Sequence, residues 1–189
     1  MSVVKSTLII FFMKIIIIIL TLCSSLISSE IKEKTINVIK NYYNSDINIS
    51  EHTFKIPEKL KNKIQTQVQQ KFFRNQIYYW KIDINGKIHY ALMDNTIGKT
   101  MPITFLIIFN ENQEVIHSSI IKYREAYGGE ISGRNWLSQF TGMKKDSLYI
   151  YGKEISGISG ATLSVKSFTK GISKLSLLLP YVMENNIEE

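Results

Sequence analysis

The body of this chain has no thiol. Its single cysteine, Cys23, lies inside an apolar leader, so the folded part has no disulfide framework, cysteine metal site or cysteine nucleophile. Histidine is nearly as scarce. His52, His89 and His117 share no metal-ligand spacing such as HxxxH, which leaves zinc and haem without support. No nucleophile elbow GxSxG is present. Gly157-Ile158-Ser159-Gly160 echoes one only in part, because Ala161 stands where the second glycine is required. Acids are missing from residues 1–29, where Lys5 and Lys14 are the only charges. No Lys/Arg cluster marks a nucleic-acid surface, so nucleic acid is not an expected partner.

What is present is ordinary for one globular domain: 189 residues, 44% hydrophobic and 21% charged. The strongly apolar residues of the leader, Leu8 to Met13 and Ile15 to Leu22, flank Lys14. A basic start, a short apolar stretch and small residues at Ser24, Ser25, Ser28 and Ser29 follow the plan of a secretory signal. LTLC, ending at Cys23, resembles a lipoprotein box, although Leu22 is bulky for its place; the alternative is an apolar residue in a signal core. The run from Ile15 falls short of the roughly 20 residues that span a bilayer. A longer segment from Thr7 to Ile27 would bury Lys14, which is costly unless it snorkels.

Residues 1–29 therefore read as a signal peptide or a membrane or lipid anchor. The expected location is exported, periplasmic or held on the outer side of the inner membrane. Without the leader, 21 bases face 16 acids and the net charge falls from +7 to +5, which suits an acidic membrane surface or redox partner.

Helical spacing of Ile31, Thr35, Val38, Ile39 and Tyr42 predicts a first helix over 30–44, broken at Asn44-Ser45-Asp46. Ile47 to Pro57 reads as irregular or extended. Leu60, Ile64, Val68 and Phe72 mark a second helix over 58–73. Strands follow over 77–84, 87–93, 103–109 and 115–123, the first two joined by the hairpin signal Asn85-Gly86. A glycine-rich polar stretch runs from Arg124 to Gly142, and 147–151 reads as a short strand. The last helix, 162–179, presents Leu163, Phe168, Ile172, Leu175 and Leu179 on one side. Lys166, Lys170 and Lys174 read as its solvated face, and Pro180 as its end.

The expected fold is α+β: two N-terminal helices, an antiparallel sheet of four to five strands, a glycine-rich loop and a C-terminal helix. Segment 30–76 forms the helical N-terminal part and 77–189 the core.

Ser159-Gly160-Ala161-Thr162 stands at the start of that last helix. Small residues permit close approach to the backbone, and a helix start offers unpaired N–H groups to an anion such as phosphate. Ser and Thr are also common helix caps, so local physics leaves both readings open. The segment GISGATLSVKSFTKGI resembles the attachment segment of the FMN-binding domain family, which includes flavin-bearing subunits of the sodium-pumping NADH:quinone reductase and Rnf complexes. YREAYGGEISGRNWLSQFTGM at 123–143, Gly98-Lys99 and Pro102-Ile103-Thr104-Phe105 extend the similarity from about Tyr78 to Leu175.

The resemblance implies FMN as cofactor, joined through its phosphate to Thr162 by a flavin transferase, with Ser159, Gly160 and Ala161 shaping the phosphate site. It further implies electron transfer with a membrane redox partner. Candidates for contacts to the flavin ring are Tyr123, Glu125, Tyr127, Gly128, Gly129 and Trp136. Trp136 and Phe140 read equally as core, and Arg124 with Glu125 as a surface pair. No acid or base stands out as a proton donor to a separate substrate, which favours a carrier over an enzyme. Family members carry an aspartate three residues before the motif's serine, where this chain has Ser156. That departure favours a second reading, a non-covalent FMN-binding or scaffold module of an exported redox complex.

Overall fold

A computed structural model describes residues 13–14, 29–43, 47–147 and 149–185. Apart from residues 13, 14 and 29, the leader read from 1–29 lies outside the described residues. Among those described, no helix is long and apolar enough to cross a membrane. Backbone contacts divide the chain into two units, Met1–Asn37 and Val38–Glu189. In the first, residues 29–37 are helical, and the Thr35 hydroxyl donates to the Ile31 carbonyl at 2.7 Å. The helix expected over 30–44 runs over 29–43 (α1), and its expected break falls on residues that are not described.

The second unit is built on five antiparallel strands that lie in chain order: β1 (Asn48–Lys55), β2 (Gln76–Ile84), β3 (Lys87–Ile97), β4 (Pro102–Phe109) and β5 (Val115–Lys122). A helix, α2 (Glu58–Val68), connects β1 to β2. β1 occupies a stretch expected only to be irregular or extended; it pairs with β2 from Asn48↔Asp83 to Lys55↔Gln76. α2 stops five residues before the expected Phe73. Gln69 adopts a left-handed conformation, and the Gln65 side chain accepts the Phe72 N–H at 2.8 Å. Asn85 and Gly86, with φ of 54° and 83°, make the expected two-residue turn between Ile84 and Lys87. β3 continues past the expected Met93 because its polar end has partners. Asn95 accepts from the Thr104 hydroxyl at 2.6 Å, and Asp94 meets a cation.

The last long helix, α4 (Thr162–Glu184), lies on the sheet. Its Val165, Phe168, Ile172, Leu175 and Leu179 share one core with Tyr79, Leu92, Phe105, Ile107 and Phe109. Burying each such side chain contributes about 1.5–3 kcal/mol, which holds α4 in place over its length. Three details of α4 differ from the sequence reading. Leu163 belongs to the exposed first turn rather than the core, at 55% exposure. Pro180 lies inside the helix, where the buried Leu178, Leu179 and Val182 offset the missing hydrogen bond.

Lys174 is the third. It is fully buried, not solvated: its ammonium lies 2.9 Å from Asp94 of β3, donates to the Lys71 carbonyl at 3.0 Å and sits over the Phe72 ring. The strand expected over 147–151 is absent among the described residues of that stretch. A single bridge, Tyr151 to Ile155, takes its place, and the fifth strand is β1.

Candidate functional site

α4 begins directly after the turn Ser159-Gly160-Ala161. Its N-cap is Ala161, and no side chain caps it, so Ser159 and Thr162 do not play the capping role that local sequence left open. The first turn of α4 therefore has no side-chain cap, and the positive end of the helix dipole faces the cleft. Thr162 and Leu163 are exposed, whereas Ala161 and Ser164 are buried beside them.

The chain leading into this turn is held from below. The Trp136 indole N–H donates to the Ser156 carbonyl at 2.8 Å, and the Ser156 N–H donates to the Gln139 side-chain carbonyl at 2.8 Å. The Gln139 amide donates in turn to the Trp136 carbonyl at 2.8 Å. Both residues come from the stretch containing the short helix α3 (Arg134–Leu137) and the turn after it. The Trp136 ring packs with Phe140 and Phe168 at centroid distances of 5.3 and 5.5 Å, which fixes this clamp to the core.

A second glycine turn closes on the first. At Gly128, whose φ is 79°, a Cβ would fall 2.5 Å from the Ala161 Cβ and 3.0 Å from the Tyr123 hydroxyl. Only glycine lets these two turns meet. Tyr123 donates to the Tyr127 carbonyl at 2.7 Å, which shapes the turn between them.

The β3–β4 connection forms the third wall. The Glu125 carboxylate accepts the N–H groups of Thr100 and Met101 at 2.7 and 3.0 Å and the Thr100 hydroxyl at 3.1 Å. These hydrogen bonds, that from Met101 foremost, hold its pKa below the ordinary carboxylate value. Arg124 donates to the Pro102 carbonyl and the Thr104 hydroxyl at 2.9 and 3.0 Å. Thus the neighbours Arg124 and Glu125 both fasten the start of β4, beyond what a surface pair would do. A Cβ on Gly98 would lie 2.6 Å from Glu125 Oε1 and 2.8 Å from Ser164 Oγ, so this loop too closes on α4.

Together the three segments enclose a cleft of about 920 Å³. It brings together Ser159, Gly160, Ala161, Thr162, Glu125, Tyr127 and Gly128 from the sequence reading. Gly129, Trp136 and Tyr123 are not among its lining residues. Gly129 opens a 3-10 turn, Trp136 is buried, and Tyr123 supports the turn from behind. Sequence reasoning missed Thr100 and Met101 as a wall and Gln139 as a clamp; Gly98 was their one visible signal. Three apolar side chains lining the cleft stay exposed: Tyr127 at 84%, Leu163 at 55% and Met101 at 43%. Lys99, Arg124, Glu125 and Glu130 bring both signs of charge to its walls.

A family model described as the FMN-binding domain matches residues 98–176, from the close-approach glycine of the third wall through most of α4. Residues 98–176 belong to the FMN-binding domain family. No curated protein and no solved structure gives a significant match to the chain. FMN is the cofactor of this domain, and the residues present fit it. An uncapped helix start offers N–H groups to a phosphate, Gly128 and Gly98 leave room only for backbone, and the exposed apolar rim matches a flat ring system. A volume of this size is in the range of small-molecule sites.

Proposed function

We propose that this FMN-binding flavoprotein is an exported electron carrier whose FMN is joined through its phosphate to Thr162. The observation that carries the reading is the Thr162 hydroxyl in the cleft, on an α4 start that lacks a side-chain cap. Attachment would form a bond between Thr162 Oγ1 and the flavin phosphorus. It would break the phosphoanhydride of a flavin dinucleotide presented by a flavin transferase, with the nucleoside monophosphate as leaving group, and release the hydroxyl proton to solvent. The first-turn N–H groups of α4 stabilise the phosphoryl charge, and Gly160, with φ of 75°, leaves open space beside it.

Bound FMN supplies the redox chemistry that a body without thiols or clustered histidines lacks. Tyr127, Met101 and Leu163 give the ring an apolar seat, and Glu125 keeps the Thr100–Met101 wall closed around it. Their exposure leaves that seat open to a membrane redox partner. The apolar leader and its serine-rich end support export, and the positive charge of the mature chain supports docking on an acidic surface.

Intact mass after co-expression with a flavin transferase tests the attachment. The expected result is a chain heavier by one FMN phosphoester, with yellow colour that stays on the denatured protein, and loss of both in Thr162→Ala. An unmodified wild-type chain overturns it in favour of a non-covalent FMN module. Ser156 favours that second reading. It is exposed and held through its backbone, where family members carry an aspartate.

A further inference from the structure

A second cavity, of about 490 Å³, opens beside the edge strand β5 and shares no lining residue with the flavin cleft. Its walls come from Asn41 and Tyr42 of α1, His117, Ser118 and Ser119 of β5, and Arg134 of α3. None of its lining residues is acidic. Arg134 is exposed, and no carboxylate is paired with it among the described residues. The cavity therefore carries an uncompensated positive charge at its mouth.

Its interior is polar and incompletely bonded. Ser118 is only 6% exposed, and its hydroxyl has no hydrogen-bond partner. Buried hydroxyls are normally paired, so one left alone at a polar cavity marks a place for an acceptor from outside. Tyr42 lies over the His117 ring at 4.7 Å and donates to the Ile116 carbonyl at 3.3 Å, which fixes one wall. Burial, and then the Arg134 charge, push the His117 pKa below its ordinary value, so at neutral pH the ring is uncharged and offers one N–H.

We propose that this cavity binds a small ligand bearing an oxyanion, a phosphoryl or carboxylate group, held by Arg134 and the buried hydroxyl of Ser118. A guanidinium fork pairs with either group through two parallel hydrogen bonds, and the Ser118 hydroxyl adds a third donor. Val38, Leu137 and the tilted Tyr42–His117 ring pair leave an apolar wall for the remainder of the ligand.

Titration of the full chain with inorganic phosphate, and separately with acetate, at constant ionic strength tests the site. The readout is the His117 imidazole resonance, one of three histidines, which separates this cavity from phosphate bound at the start of α4. A saturable His117 shift with either anion supports the proposal, and the preferred anion identifies the headgroup. Arg134→Ala is expected to weaken binding at least tenfold. Ser118→Ala is expected to weaken it severalfold while raising the melting temperature of the unliganded chain, because it removes an unpaired buried hydroxyl. The proposal is overturned if neither anion shifts His117, if only the amides of residues 162–164 respond, or if Arg134→Ala binds as the wild type does.

Discussion

Glu125 shows how one side chain builds a wall. It touches Thr100 and Met101 through hydrogen bonds that only the ionised carboxylate makes at full strength, which depresses its pKa. A depressed carboxylate stabilises the folded form above its unfolded pKa, and that contribution is lost as pH falls through the lower folded value. The amide resonances of Thr100 and Met101 are therefore expected to titrate together with a midpoint below 4.5, the ordinary glutamate value. Glu125→Gln is expected to abolish that titration and to speed amide exchange in the loop at neutral pH. Gly128→Ala makes a complementary case. Its Cβ would overlap Ala161, so loss of FMN binding is expected even where circular dichroism shows an intact fold. The sequence made SGAT and the second glycine turn visible because both are local patterns. Their contact, and the hold of Gln139 and Trp136 on Ser156, join residues 17 to 33 positions apart and have no local signature.

Between elements, the decisive contact is the buried pair of Lys174 on α4 and Asp94 on β3. Lysines at 166, 170 and 174 recur one turn apart, and that spacing reads as a solvated stripe. Lys174 instead enters the core because a carboxylate, a backbone carbonyl and an aromatic face meet it there. Removing one partner of a buried pair leaves the other charge uncompensated, at a cost of about 3–5 kcal/mol. Lys174→Ala is expected to lose stability of that order in urea unfolding. A Lys174→Met/Asp94→Leu double variant is expected to recover most of it. Tertiary partners of this kind explain why β3 outruns its periodicity: Asp94 and Asn95 are turn formers by type, yet they and Thr96 are bonded across to α4, to β4 and to Gln70 just past α2. Hairpins with short turns were legible; the polar end of a long strand was not.

For the whole molecule, the sequence pattern identified the α+β class and the order of its elements, because strand and helix periods are written locally. It placed β1 poorly, since NISEHTFK alternates weakly and gains its pairing from β2. Processing belongs to this scale as well. The protein isolated from its producing cell is expected to begin within Ser24–Glu30 if a signal is cleaved, or at a lipid-modified Cys23. Mass spectrometry of the N-terminal peptide decides between them, and a chain retaining Met1 or Met13 counts against both.

Strands β2 to β5 pair with their chain neighbours across short connections, whereas β1 meets β2 across α2, with partners 21 to 35 positions apart. α4 is a further exception, because it follows all five strands in the chain and covers one face of their sheet. A nascent chain that has not reached residue 162 holds Phe105, Ile107 and Phe109 without their cover. Premature termination there should yield aggregation rather than a smaller working domain. The same order of events means that the turn before Thr162 gains its contacts with the rest of the cleft only once α4 has been made, so under the proposed attachment a shorter chain would offer a flavin transferase nothing to act on.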